Sequence, residues 1–389
     1  MAEGSGSAVA YLGIDVGKRT HGACALDEGG AVVFRADVEN RPSDVDRLPG
    51  RAGAGALVVV DQKRNIGALV PARAFAHGNP CACLPGYAER RARGMFPGIA
   101  KTDAVDAEVI ARTARGIPGA LRPLAEEPEG AASLRILSSQ REFAAAARTR
   151  AKNRLRATLL EADPALERAV DPSRGWHVAP LAEFGSAAGC SAAGRRRFSA
   201  AARRAGAPAP GARALRESML ASARSGRSLP AGEDVAVRML AREVAALDAD
   251  VAELEGLVAD SLAGDEVYEC LLTVPGIGPK TAAALVASVD VSMFRGHDEL
   301  ASYCGAAPAD SRSGTSVRSA SPQRGGNKQL KNLLTFSCNS LIGTDNRFGR
   351  YYDECRARGM RHNKALKAVA GKRLKVIYAV MRDAAPYSA

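Results

Sequence analysis

The alternation of short apolar runs and turns in the first 115 residues constrains the fold of this chain most. Over residues 9–38 three apolar runs are separated by turns, one of them Asp27-Glu28-Gly29-Gly30, and this pattern predicts a three-stranded antiparallel meander. Helices and strands are then predicted to alternate: a helix from about residue 42, a strand at 56–61, a helix near 66–77, a strand at 81–84 and helices near 87–94 and 102–115. The expected fold class of this part is therefore α/β.

The predicted order βββ-α-β-α-β-α is that of ribonuclease H and of the Holliday-junction resolvases. In that arrangement the first and fourth strands lie side by side. Asp15 follows the first apolar run and Asp61 ends the fourth, so we expect these two carboxylates to be neighbours.

Two further aspartates, Asp103 and Asp106, are three residues apart at the start of a predicted helix, so they share one face of it. Four carboxylates converging without matching Lys or Arg would repel each other unless cations lay between them. Oxygen ligands favour Mg²⁺ or Mn²⁺, and a pair of such ions is the usual machinery for cutting a phosphodiester. The pattern predicts metal-dependent phosphate chemistry at Asp15, Asp61, Asp103 and Asp106.

The composition points to a nucleic acid as partner. Lys and Arg number 54 against 42 Asp and Glu, a formal net charge of +12, and a chain this basic is expected to meet a polyanion. The eight cysteines form no CxxC pair and fit no zinc site, so we expect buried or incidental thiols. Without a leader or an apolar run of about eighteen residues, we expect no membrane partner and a location in the bacterial cytoplasm, at the nucleoid.

The middle of the chain is predicted to be helical. Residues 130–162 form a long helical pattern rich in Arg, and Arg148 and Arg154 are candidates for phosphate contacts. Residues 185–230 are compatible with short helices or with a partly flexible insertion. A heptad seam follows, formed by Val237, Leu240, Val244, Leu247, Val251, Leu254 and Val258. It suits packing inside the chain about as well as two-stranded pairing between chains; Val at a and Leu at d favour self-association.

The segment from Cys270 is predicted to form a helix, a glycine hairpin and a second helix. Gly276 and Gly278 permit a tight turn whose backbone N–H groups can face a phosphate, with Lys280 beside it. Such hairpins also occur as plain packing devices.

A loop over residues 308–326, followed by a basic helix at 327–341, is the second candidate centre. A serine that attacks a phosphodiester needs nearby positive charge, which Arg312, Arg318, Arg324, Lys328 and Lys331 could supply. On composition alone, Ser313 beside Gly314 is more often a turn residue than a nucleophile.

These motifs together resemble the IS-one-ten family of insertion-sequence transposases, the RNA-guided bridge recombinases. The resemblance spans nearly the whole length and rests on five segments: Gly13-Ile14-Asp15-Val16, Lys101-Thr102-Asp103-Ala104-Val105-Asp106-Ala107, the hairpin at 274–280, Ser313-Gly314-Thr315-Ser316-Val317-Arg318 and Arg324-Gly325-Gly326-Asn327-Lys328. It implies a resolvase-like N-terminal domain whose acidic tetrad is Asp15, Asp61, Asp103 and Asp106, and a C-terminal domain in which Ser313 joins DNA covalently. Asp61 departs from the pattern, which usually has the longer Glu there.

The resemblance also implies partners and a domain plan. A structured non-coding guide RNA would hold donor and target DNA by base pairing, and the tetrad of one protomer would act with Ser313 of another. A homodimer that becomes a tetramer when active would fit. The implied domains are a catalytic domain at 1–125, a helical coiled-coil region at 126–264 and a mostly helical transposase domain with a helix–hairpin–helix at 265–389.

Two other enzyme classes compete with this reading. In a metal-dependent junction resolvase the aspartates would cut with water and Ser313 would be a loop residue. In an actin-like ATPase or sugar kinase, Gly13-Ile14-Asp15-Val16-Gly17-Lys18-Arg19-Thr20 would grip phosphate, but no second Asp-Gly-rich phosphate loop follows. A non-enzymatic scaffold would not need four converging acids.

Overall fold

The computed structural model describes residues 8–95, 103–126, 129–224, 231–306, 308–313, 317–322 and 326–388, with the backbone alone at 103, 129, 231, 308–313 and 317–322. The chain forms two compact units, Met1–Pro128 and Glu129–Ala389. The predicted boundary at 125 lies close to the end of the first unit, whereas the predicted division near 264 falls within the second and stays a prediction.

The first unit is built on a six-stranded sheet. Its strands are β1 (Tyr11–Asp15), β2 (Thr20–Leu26), β3 (Val32–Glu39), β4 (Leu57–Val60), β5 (Cys81–Cys83) and β6 (Arg122–Leu124). Their order in the sheet is β3-β2-β1-β4-β5-β6. Strands β1 to β3 form the predicted antiparallel meander, and β1 pairs in parallel with β4, which confirms the predicted neighbours. The antiparallel edge strand β6 was not predicted; it contains Pro123, a residue that edge strands tolerate.

Helices cover both faces of this sheet because successive strand residues point to opposite sides. They are α1 (Pro42–Val45), α2 (Arg47–Ala52), α3 (Leu69–Ala76), α4 (Gly86–Arg93) and α5 (Asp103–Gly116). Leu12 and Ile14 of β1 pack in the same core as residues of α1 to α3. On the other face, Val59 of β4 packs with Ile110 of α5. Asp15 and Asp61 belong to the residues that alternate onto the α5 side.

Two long helices organise the first part of the second unit. They are α6 (Glu129–Ala162) and α12 (Ala231–Ser261), and the helices between them are α7 (Pro164–Ala169), α8 (Gly175–Phe184), α9 (Ala187–Ala192), α10 (Gly194–Arg204) and α11 (Ala209–Arg224). Arg141 pairs with Glu255, and Arg148 lies 3.3 Å from Asp248, so the two long helices run antiparallel. As far as it is described, the segment from 185 to 224 is helical rather than a flexible insertion.

The heptad seam of α12 lies inside its own chain. Val237 and Val244 are fully buried in a core that they share with Leu155 of α6 and Leu181 of α8. Of the two readings of this seam, packing within the chain is the one that the fold adopts, because α6 and α8 already cover the apolar stripe. Self-association through this seam is therefore not supported, and the oligomeric state stays a prediction.

The remainder of the second unit packs around a long C-terminal helix. Its elements are α13 (Glu266–Leu272), α14 (Pro279–Ser288), α15 (His297–Tyr303), the strands β7 (Pro308–Ser313) and β8 (Val317–Pro322), and the helices α16 (Lys328–Ser337), α17 (Arg347–Ala357) and α18 (His362–Asp383). Leu366, Val369 and Ile377 of α18 are buried at the centre of this core. The expectation of a loop at 308–326 was wrong for residues 308–313 and 317–322, because β7 and β8 form an antiparallel hairpin there.

The cysteines fit the expectation of buried thiols. All eight are free, and seven of them are buried. Burial raises the pKa of Cys81, Cys190 and Cys304 to about 12, so these thiols stay protonated at neutral pH. Across the parts of the chain described, no helix has the length and apolarity that crossing a membrane requires.

Candidate active site

The candidate site lies at the carboxyl ends of β1 and β4. Ile14 and Val60 are parallel partners, and each is followed by an aspartate, Asp15 and Asp61. The backbone N–H of Val16 donates to Oδ1 of Asp61 at 3.0 Å. This hydrogen bond joins the two strand ends and orients the Asp61 carboxylate, as the predicted topology requires.

Helix α5 brings the third aspartate to the same edge because β1 has no side chain at residue 13. A Cβ placed on Gly13 would lie 2.4 Å from the carbonyl oxygen of Ala107 and 2.5 Å from the backbone nitrogen of Ala111. The helix backbone therefore rests directly on the strand. Asp106 immediately precedes Ala107, and it is buried.

Asp61 and Asp106 lie within electrostatic reach of each other. Burial, opposed by the Val16 hydrogen bond, raises the pKa of Asp61, and the negative charge of Asp106 raises it further. Two carboxylates in such surroundings favour a cation between or beside them.

Helix α4 adds two residues that the sequence analysis missed. Arg93 forms an ion pair with Asp106, in which the side chains are 27% and 9% exposed. Burial raises the pKa of Glu89, and the charges of Asp61 and then Asp106 raise it further, so Glu89 also faces the acidic edge. In the sequence, the charges of Glu89-Arg90-Arg91-Ala92-Arg93 are typical of a solvated helix face. The four-residue spacing of Glu89 and Arg93, which puts both on one face of the helix, is the signal that could have indicated a shared role.

Glu108, two residues after Asp106 on α5, has a different role. Its carboxylate accepts from Arg35 at 2.6 Å and from Arg112 at 2.7 Å, so it is engaged away from the site.

The donor set suits Mg²⁺ or Mn²⁺, because it consists of carboxylate oxygens with an excess of negative charge. Oδ1 of Asp106 is buried, and Nη2 of Arg93 contacts it, so a cationic group already lies against the oxygen that an ion would bind. Within the described side chains, which do not include that of Asp103, no three His, Cys, Asp or Glu residues lie close enough together to hold an ion. Among the described side chains Asp106 meets a guanidinium, and the tetrad, which includes Asp103, stays a prediction.

Ser313 lies in the second unit, at the end of β7. It is the cross-strand partner of Val317, and Arg312 is the partner of Arg318. The turn at 314–316, Arg324 and the side chains of both strands lie outside the described residues, so the predicted contacts of Ser313, Arg312, Arg318 and Arg324 stay predictions.

Gly326 packs closely against the end of α15. Its φ is +97°, and a Cβ there would lie 2.8 Å from the backbone of both Gly305 and Tyr303. The amide of Asn327 donates to the carbonyl oxygen of Tyr303 at 2.6 Å, and α16 begins at the next residue. Lys328 is exposed and Lys331 is half-buried on this helix.

The other predicted nucleic-acid contacts divide into engaged and exposed cations. Arg148 shares the carboxylate of Asp248 with Lys152, whereas Arg154 is exposed. Lys280 borders a cavity of 340 Å³ between α6, α12, α13 and α14. Burial and then the charge of Arg141 lower the pKa of Lys280. Helices α13 and α14 flank the turn that contains Gly276. The helix–hairpin–helix and its use as a nucleic-acid contact stay predictions.

Comparison with known proteins identifies the family. Residues 12–164 match a transposase domain named for a DEDD set of acids and for the element IS110, and residues 268–353 match the Transposase IS116/IS110/IS902 family. Over 386 residues the chain is 36% identical to the 43.6 kDa protein of insertion element IS110 of Streptomyces coelicolor, covering 97% of this chain and 95% of that protein. The chain belongs to the IS110 family of transposases.

Other relatives of the IS110 transposase span its length equally well. Identity is 31% over 386 residues with the IS116 protein of Streptomyces clavuligerus (96% and 94% coverage) and 30% over 391 residues with the IS900 protein of Mycobacterium paratuberculosis (97% and 96%). As a transposase the chain is an enzyme that binds DNA and cuts and rejoins it. Asp15, Asp61 and Asp106 fall in the first matched region and Ser313 falls in the second.

Proposed function

We propose that this IS110 transposase is an RNA-guided recombinase of an insertion element. It cuts and rejoins DNA through a covalent serine–DNA intermediate, with divalent ions held by an acidic tetrad. The observation that carries this proposal is the edge of the first unit, where Asp15 and Asp61 end two neighbouring parallel strands and α5 packs beside them with Asp106.

The tetrad would comprise Asp15, Asp61, Asp103 and Asp106 around Mg²⁺ or Mn²⁺. A bound ion would supply positive charge to the phosphate oxygens and orient the reacting groups. The chain prepares the position of one ligand by itself, because the Val16 amide fixes Asp61. The pKa shift of Asp61 supports the assignment, since a buried carboxylate beside another one is stabilised by a cation.

Ser313 would perform the covalent step. The Ser313 hydroxyl gives up its proton as its oxygen attacks phosphorus, and the serine–phosphate bond forms as the bond to the 3′ oxygen breaks. The departing oxygen takes up one proton in exchange and becomes a 3′ hydroxyl. The reverse attack by a 3′ hydroxyl rejoins the strand and returns the proton to Ser313. Arg312 and Arg318, which are cross-strand partners in the hairpin, would stabilise the charge on the pentacoordinate phosphate.

Guide RNA and DNA would be held mainly through their backbones. The net charge of +12 supports a polyanion partner, and exposed cations such as Arg154 and Lys328 are available for it. The composite site, with the tetrad of one protomer and Ser313 of another, belongs to this proposal, as does a homodimer that assembles into a tetramer.

The test combines RNA sequencing with adduct detection. The protein is purified from cells that transcribe the DNA flanking its gene, and the bound RNA is sequenced. The protein is then incubated with labelled donor DNA and Mg²⁺, and adducts are resolved on denaturing gels. We expect one discrete RNA species and an adduct that Ser313→Ala abolishes, whereas Ser311→Ala and Ser319→Ala in the same hairpin retain it.

A metal-dependent resolvase-like nuclease is the second candidate, favoured by the resolvase-type strand order and by the acids at its edge. It predicts cleavage without an adduct, with Ser313→Ala fully active and Asp61→Asn inactive. That outcome, or the recovery of no discrete RNA together with an intact adduct in Ser313→Ala, would end the leading proposal.

A further inference from the structure

We propose that Arg93 is an internal competitor of the divalent ion. Its guanidinium occupies Asp106 in the resting enzyme and must leave this carboxylate before an ion can bind. The proposal rests on the proposed metal use of the tetrad. It means that α4, which carries Arg93, determines the ion concentration at which the site binds its ion.

The ion pair is the first support for this role. Arg93 and Asp106 are in direct contact, and the side chains are 27% and 9% exposed. A pair this shielded from water is screened less than a surface ion pair, so it competes effectively with an ion from solution.

The surrounding charge is the second support. Asp61 and Glu89 both lie within electrostatic reach of Asp106. Arg93 brings a cation into direct contact with this group, whereas Arg90 on the same helix is exposed and donates to the carbonyl oxygen of Gly86 at 3.1 Å. Arg93 therefore supplies the charge that an ion would otherwise supply.

Geometry explains why the two cations exclude each other. A guanidinium is broad and planar and bonds carboxylates at hydrogen-bond distance, whereas Mg²⁺ draws its oxygens to about 2.1 Å. Carboxylates arranged around Arg93 are therefore farther apart than carboxylates around an ion. This agrees with the absence of a three-residue ligand group among the described side chains, Asp103 being outside them.

The position of Arg93 allows the exchange without unfolding. It is the last residue of α4, followed by Gly94 as the helix cap. Its flexible side chain can leave Asp106 by a change of rotamer, while the neighbouring Ala92 stays buried and α4 does not move.

The experiment measures Mn²⁺ binding directly by electron paramagnetic resonance, on full-length protein without nucleic acid. We expect Arg93→Gln to lower the Kd for Mn²⁺ about tenfold, because the Asp106 carboxylate no longer has to separate from Arg93 before the ion can bind. Arg90→Gln removes an equal charge from the same helix and is expected to change the Kd by less than about twofold at physiological salt. Arg93→Lys, which keeps the charge but loses the planar fork, is expected to fall between them.

Three outcomes separate the possibilities. Equal Kd values for Arg93→Gln and Arg90→Gln, with Asp106→Asn binding more weakly than wild type, would overturn the role of Arg93 and leave the proposed function intact. Unchanged Mn²⁺ binding in Asp106→Asn would instead overturn the metal site, and with it this inference. If Arg93→Gln fails to fold, Arg93→Lys decides: a Kd no lower than that of wild type refutes the competition.

Discussion

The contact between β1 and α5 makes Gly13→Ala the most informative single substitution in the first unit. The new Cβ would lie 2.4 Å from the carbonyl oxygen of Ala107 and 2.5 Å from the backbone nitrogen of Ala111. Carbon needs about 3.5 Å from such atoms, so the helix must move away from the strand by roughly 1 Å. No flexible side chain can absorb this shift, because the opposing atoms are backbone.

The expected cost is about 3 kcal/mol, the upper end for overpacking a core. Hydrogen exchange reports it locally: the amides of β1 and α5 should exchange about a hundredfold faster than in wild type, since every 1.4 kcal/mol is a factor of ten. The same 1 Å displaces Asp106 from Asp61, so adduct formation should fall by about two orders of magnitude.

Gly116→Ala is the matched control, because residue 116 ends the same helix and a Cβ there meets nothing within 4 Å. It should leave both exchange and adduct formation unchanged. Exchange of the β1 and α5 amides in Gly13→Ala within threefold of wild type would refute the direct backbone contact on which this reasoning depends.

Three further predictions concern charge, core and helix. Burial and the charge of Asp106 raise the pKa of Asp61 above its unfolded value, so protonation contributes stability at low pH that is lost as pH rises through the folded pKa. Asp61→Asn should therefore raise the thermal midpoint in EDTA at pH 7, and a gain that persists undiminished below about pH 4 would contradict this reasoning. Val244→Ala should cost about 2 kcal/mol in urea denaturation, independently of protein concentration, because this side chain packs within its own chain; a concentration-dependent loss would indicate pairing between chains. Gly256→Ala, on α12 with open space around it, should stabilise the chain by about 0.5–1 kcal/mol, and a lower thermal midpoint would refute this.

The sequence was sufficient for the frame of the first unit. The order of strands and helices determined that β1 and β4 are neighbours, and therefore that Asp15 and Asp61 share an edge. It could not reveal β6, since three residues containing a proline show no periodicity. Nor could it show the ion pair of Arg93, because a run of charged residues reports only that a helix has a polar face, not which carboxylate that face meets.

The second unit shows the same limit in two forms. A heptad seam indicates which stripe of α12 must be covered but not by which helix, and here α6 and α8 cover it. The hairpin of β7 and β8 is made largely of Ser, Arg, Ala and Pro, so it lacks the alternation of branched and polar residues by which strands are recognised.

The pairing of α6 with α12 has a consequence for how the protein is made. Roughly 70 residues separate the end of one helix from the start of the other, and a ribosome needs about 4 to 14 seconds to add them. During that interval the nascent α6 exposes Arg141, Arg148 and Lys152 before Asp248 and Glu255 have been translated. The nascent helix is thus most cationic while the chain is still attached to the ribosome that is translating its messenger RNA.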